Sequence, residues 1–155
     1  MLNSDDLTIK LTSFFEHGPM AKKAAHSLKD GREIQLLVAN SPFRFFKENK
    51  NNRIEAGNCA SPDIIFEISA LACEELVTRD FKTVGEVGIF IFEKMITNDP
   101  AHKVKAKVRA GVISLVMGGY LGILGEGGAE VAKYLAQKGL TNPSKIKDAI
   151  AKLRS

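Results

Sequence analysis

Polar and apolar positions change rhythm several times along this chain. Leu7, Leu11, Phe14 and Phe15 recur at helical spacing, which lines them along one face of a helix. Ser4 is its expected N-cap, with Asp5 and Asp6 in the first turn where the helix dipole favours acids. Gly18-Pro19 interrupts the pattern, and Met20, Ala21, Ala24, Ala25 and Leu28 mark a second helical piece that Asp30-Gly31 closes. From Arg32 the period falls to two. Ile34, Leu36 and Val38 alternate in a first strand, Phe43–Lys47 and Arg53–Ala56 read as a second and a third, and Asn49–Asn52 is the turn between those two. Asp63–Ser69 reads as a fourth, in which Ile64, Phe66 and Ile68 share a face. Short connections predict an antiparallel meander.

The helical rhythm then returns. Ser69 caps Ala70–Val77, and Thr83 with Glu86 has the spacing of a capping box that opens Val84–Thr97. Apolar residues occupy most of that helix's circumference, so it is expected to be buried on more than one side, with Phe90 between Glu86 and Glu93 on the nominally polar face. Lys103, Lys105, Lys107 and Arg109 next alternate with Val104, Ala106 and Val108, a strand with one dry and one wet face. Ala110 to Gly125 follows without a charge. As one helix it would reach about 24 Å, short of the ~30 Å hydrocarbon core of a bilayer, so it predicts burial inside the domain or against an apolar ligand. Glu126–Lys138, facing inward through Val131 and Leu135, and a last helix opening at Asn142-Pro143, with a dry face of Ile146, Ala149, Ile150 and Leu153, complete the chain. The expected fold is α+β: roughly five strands in a mainly antiparallel sheet, with helices packed over one face. A single domain over residues 1–155 accounts for the length, with residues 1–30 an N-terminal helical segment and 139–155 a C-terminal capping helix.

Composition adds few constraints. Apolar residues at 45% suffice for a sizeable core, and 26% charged residues are those of an ordinary folded domain. A net charge of +4 tilts the surface toward anionic partners. MLNSDDLT lacks the basic and apolar regions of a secretory signal, so a cytoplasmic setting is expected, with Cys59 and Cys73 as free thiols. No metal is expected, because the three histidines lie far from either cysteine.

Candidate chemistry is sparse. No Gly-x-Ser-x-Gly elbow, GxGxxG or GxxxxGK[ST] occurs, and no cofactor is expected. His17 and His26 read as surface residues. Gly118 and Gly122 have the GxxxG spacing of close helix packing. The basic row protects a sheet edge or contacts anionic headgroups, including a transient contact with a membrane surface. It carries no aromatic residues for base stacking, so nucleic acid is not expected. The two apolar helices are either plain core or the walls of a cavity, and methionine and phenylalanine suit an adaptable cavity.

Three segments, RIEAGNCASPDIIFEIS (Arg53–Ser69), LACEELVT (Leu71–Thr78) and KVKAKVRAGVISLVMGGY (Lys103–Tyr120), give the chain a family likeness. It resembles the sterol carrier protein type 2 (SCP2-like) lipid-binding domains over about Lys29 to Leu135. Gly57, Pro62-Asp63, Ser69 and Gly111 stand at the family's turn, strand-opening, capping and helix-opening places, although Val112 replaces the usual Asp or Asn after that last glycine. The resemblance implies an apolar tunnel between sheet and helices that takes a fatty-acyl chain, acyl-CoA, phospholipid or sterol-like lipid, without catalysis. Expected lining residues are Phe66, Val87, Phe90, Ile91, Met95, Val104, Val108, Val112, Met117, Tyr120, Leu121 and Leu124. Lys105, Lys107 and Arg109 are the expected headgroup contacts. The first rival is a protein-interaction module using the surplus apolar surface. The second is an enzyme or accessory subunit acting on a lipid-like substrate, which truncation of Glu86, Glu93 and Asp63 in turn would expose.

Overall fold

The computed structural model describes residues 3–120, 122 and 126–139. Helix α1 (Ser4–Thr12) runs into one π turn (Ser13–His17) and α2 (Pro19–Ala24). Strands β1 (Glu33–Val38), β2 (Ser41–Glu48), β3 (Asn51–Ala56) and β4 (Ile64–Ile68) follow, then α3 (Ala70–Thr78) and α4 (Val84–Ile96). The last elements are β5 (Val104–Val108), α5 (Val112–Met117) and α6 (Gly128–Gln137). The fold is α+β, a mixed five-stranded sheet ordered β3-β2-β1-β4-β5.

The alternating segments form strands where expected, but β4 is not the next strand of a meander. The two hairpins β1–β2 and β2–β3 turn on Ala39-Asn40 and Asn49-Lys50, pairs with positive φ that match the twist of the flanking strands. Beyond β3 the chain crosses to the far side of β1, and β4 pairs with it in parallel, Ile34 opposite Ile64 and Leu36 opposite Phe66. Gln35 holds that crossing. Its side chain is buried on the outer face, with Nε2 donating to Phe43 O (2.9 Å) and Gly57 O (3.2 Å) while Oε1 accepts from Cys59 N (2.7 Å). Two backbone groups of the crossing loop, Gly57 O and Cys59 N, thereby find partners.

The register lays apolar rows across the inner face: Ile54, Phe45, Ile34, Ile64 and Val108 in one, Phe43, Leu36, Phe66 and Ala106 in the next. Leu7 and Leu11 of α1 and Ala72 and Cys73 of α3 pack with Ile54, Phe43 and Leu36 of these rows in one core cluster, while Phe45 and Val108 pack in a second with Ala25 and Leu28. Burial of each large side chain contributes roughly 1.5–3 kcal/mol.

Three local expectations change. Asn3 is the cap of α1, since its Oδ1 accepts from Asp6 N at 2.8 Å, one residue before Ser4. Ser69 caps α3 through Ala72 N as expected, and Thr83 caps α4 through Glu86 N. The return bond of that capping box shifts by one residue, Glu86 Oε2 accepting from Lys82 N at 2.7 Å. Helix α4 is less buried than its composition suggests. Eight of its 13 residues are large apolar ones, yet only Val84 and Phe90 among them are buried. Phe90 faces Phe81 in the core, so it is not on the polar face.

The uncharged stretch after Ala110 is not one continuous helix. Helix α5 stops at Met117, and Gly119 takes φ +92° against the Ser27 carbonyl. Lys29 N donates to Gly118 O (2.9 Å), and Ser27 Oγ donates to Gly119 O (3.0 Å). The N-terminal segment therefore occupies the line that a longer helix would need. The expected helix from Asn142 lies outside the described residues.

Candidate functional site

The expected tunnel residues divide among three packed clusters. Phe66, Ile91, Met95 and Val104 join the core under α1 and α3. Val87, Phe90 and Ile91 surround Leu76 and Phe81. Val108 and Tyr120 pack with Ala25, Leu28, Phe45 and Leu115. Phe15, partly buried in the π turn, touches all three clusters and meets the rings of Phe14 and Phe45 at 5.0 and 5.4 Å. Met117 points outward, 70% exposed. Leu121, Leu124 and the side chain of Val112 lie outside the described residues.

Two clefts lie at opposite ends of the sheet, and none of the nine expected lining residues whose side chains are described lines either. One, of about 310 Å³, is bounded by Arg32, Glu33, Asp63, Arg109, Ala110 and Ser114. The other, of about 280 Å³, is bounded by Asn40, Glu67, Ser69, Pro100, Lys103 and Lys105. Of the basic row only Lys105 and Lys107 share the wet face of β5, opposite Glu67 and Ile65. Lys103 precedes the strand, and its Nζ donates to Met95 O (2.9 Å) and Thr97 O (2.8 Å), closing the C-terminal end of α4. Arg109 follows the strand and lines the first cleft.

Asp63 organises that first cleft. It is buried at the start of β4, and its backbone oxygen accepts from Arg109 N (2.8 Å) and Ala110 N (3.1 Å), which fixes the exit of β5. Arg32 Nη1 approaches Asp63 Oδ1 at 3.3 Å and donates to Ser114 Oγ at 3.0 Å; Nη2 donates to Ser114 O at 2.6 Å. Tyr120 donates its hydroxyl to Asp63 Oδ2 at 2.8 Å. Burial, and then the hydrogen bond to Asp63, push the Tyr120 phenol above its ordinary range, so it stays a neutral donor. Each carboxylate oxygen of Asp63 thus has a partner, and the group ties β4 to Arg32 and to Tyr120. Burial likewise lifts Cys59 and Cys73 to about 11, with the neighbouring Glu33 adding to the effect at Cys59. Neither supplies much thiolate at neutral pH.

Sequence reasoning missed Arg32 and Lys47. Lys47 follows Phe43 and Phe45 on the dry face of β2, so alternation alone places it inside. Its Nζ donates to Ala25 O and His26 O, each at 3.1 Å, just past α2. Arg32 lies one residue outside its strand, where no periodicity reports on it.

Strands, clasp and helices define an α+β domain with a mixed five-stranded sheet covered on its inner face. Among the described residues no helix is long and apolar enough to cross a membrane. No protein-family model matches the chain, and no curated protein matches it. Among solved structures it is similar to a UbiJ-SCP2 ubiquinone synthesis protein, at 14% identity, with a TM-score of 0.40. That alignment covers 73% of this chain and 85% of the other.

Proposed function

We propose that the protein binds an apolar, acyl-chain-like ligand without transforming it. The observation that carries this reading is the surplus of apolar surface on α4. Val87, Ile89, Ile91, Phe92 and Met95 are only partly buried and Ile96 is 53% exposed, although this helix lies against the core. A helix serving packing alone would place polar residues at such positions. In this reading the tail lies along α4 beside Phe66, Ile91 and Met95, and each buried methylene contributes ~0.8 kcal/mol. Lys105, Lys107 and Arg109 are the cations available for an anionic end. The absence of catalysis is part of the proposal, supported by the engaged oxygens of Asp63 and the raised thiols.

The test is native mass spectrometry of protein purified from cells, followed by titration with a fluorescent fatty acid. A co-purified lipid, or saturable probe binding displaced by unlabelled fatty acid, is expected. Protein that is empty and also ignores the probe would end this reading.

A further inference from the structure

Helix α5 divides its side chains in an unexpected way. Leu115 enters the core and Ser114 faces the Arg32 cleft, whereas Ile113 and Met117, four residues apart, are 80% and 70% exposed. These are the two most exposed large apolar side chains among the described residues. The helix beneath them is held firmly. Arg32 bonds both the backbone and the hydroxyl of Ser114, and the turn after Met117 rests on Ser27 and Lys29.

Basic residues flank the pair. Arg109 lies just before α5, and the backbone bond from Lys29 to Gly118 places Lys29 at its other end. Neither side chain forms an ion pair among the described residues, and both residues are exposed. Of the neighbouring acids, Asp63 is paired with Arg32 and Glu33 with Arg44, while Asp30 beside Lys29 accepts from the Lys50 N–H and keeps its charge. Two apolar side chains do not supply the roughly 800 Å² per partner of a stable protein interface. They do suit shallow, reversible insertion at a headgroup boundary, which combines apolar burial with attraction to anionic lipid.

We propose that α5 is a membrane-docking point: Ile113 and Met117 enter the interfacial layer of an anionic bilayer while Arg109 and Lys29 contact its phosphates. The proposal does not depend on the ligand reading. The test is flotation of the full chain with vesicles of phosphatidylcholine, with and without phosphatidylglycerol. Wild type is expected to float with the anionic vesicles, less so at high salt. The Ile113→Glu/Met117→Glu double variant should lose about tenfold or more of its partitioning, and Lys29→Glu/Arg109→Glu should lose the salt-sensitive part. Circular dichroism would check that folding is unchanged, and fatty-acid probe binding by the first double variant should match wild type. An Ile113→Trp variant should show a blue-shifted emission with anionic vesicles. The proposal is overturned if wild type does not float, if the apolar double variant floats equally well, or if the tryptophan emission does not move. Concentration-dependent self-association abolished by Ile113→Glu would also overturn it, assigning the face to a second copy of the chain.

Discussion

The hydroxyl of Tyr120 reaches Oδ2 of Asp63 at 2.8 Å, joining the chain beyond α5 to the start of β4. Because the folded state raises the phenol's pKa, it holds that proton more tightly than the unfolded chain does. The resulting stabilisation is full below the ordinary value of 10.0 and declines as the pH rises above it. Tyr120→Phe should therefore cost about 1–2 kcal/mol at neutral pH, with the gap to wild type narrowing above pH 10. Urea denaturation of both proteins across that range checks the sign.

Asp63→Ala leaves Arg32 partly buried without its carboxylate and Tyr120 without an acceptor. A loss of about 3 kcal/mol is expected, with Asp63→Asn milder because it keeps one oxygen. In a double-mutant cycle with Arg32→Ala, the two losses should be less than additive. Additive losses would mean that the pair, 3.3 Å apart, is not energetically coupled.

Lys47 is 6% exposed, and its ammonium is shared between two carbonyls just past α2. Lys47→Met keeps the apolar stem and strands both acceptors, which should cost about 1–3 kcal/mol. The urea midpoint should fall with an unchanged slope. A more stable Lys47→Met variant would show that desolvating the charge outweighs the two bonds.

Gly119 and Gly31 both have positive φ, +92° and +85°, but only Gly119 has a backbone neighbour where a Cβ would sit. Gly31→Ala should show backbone strain alone, about 1 kcal/mol. Gly119→Ala should cost distinctly more, because the Ser27 carbonyl must move as well. Thermal unfolding of the two variants side by side separates strain from steric conflict.

Much of the fold was legible because it is written in local periodicity. Ile34, Leu36 and Val38, then Phe43 and Phe45, share the inner face that their alternation predicts, and Ser69 and Thr83 cap the helices they precede. The candidate site was less legible. Val87, Ile91 and Met95 are apolar at helical spacing whether they line a cavity or fill a core. Their packing also involves Phe15, which lies in the segment outside the family resemblance.

By itself the sequence determined the strands, most helix starts and the inward face of the sheet, because those follow from residues two to four positions apart. Only the tertiary structure decided that β4 lies beside β1, that Lys103 closes α4, and that Ile113 and Met117 face outward. The first and last depend on partners far along the chain, Gln35 with the crossing loop and Arg32 with Ser114 across 82 residues, whereas Lys103 reaches back six and eight residues to Thr97 and Met95. Such pairings balance buried polar groups that no local pattern records.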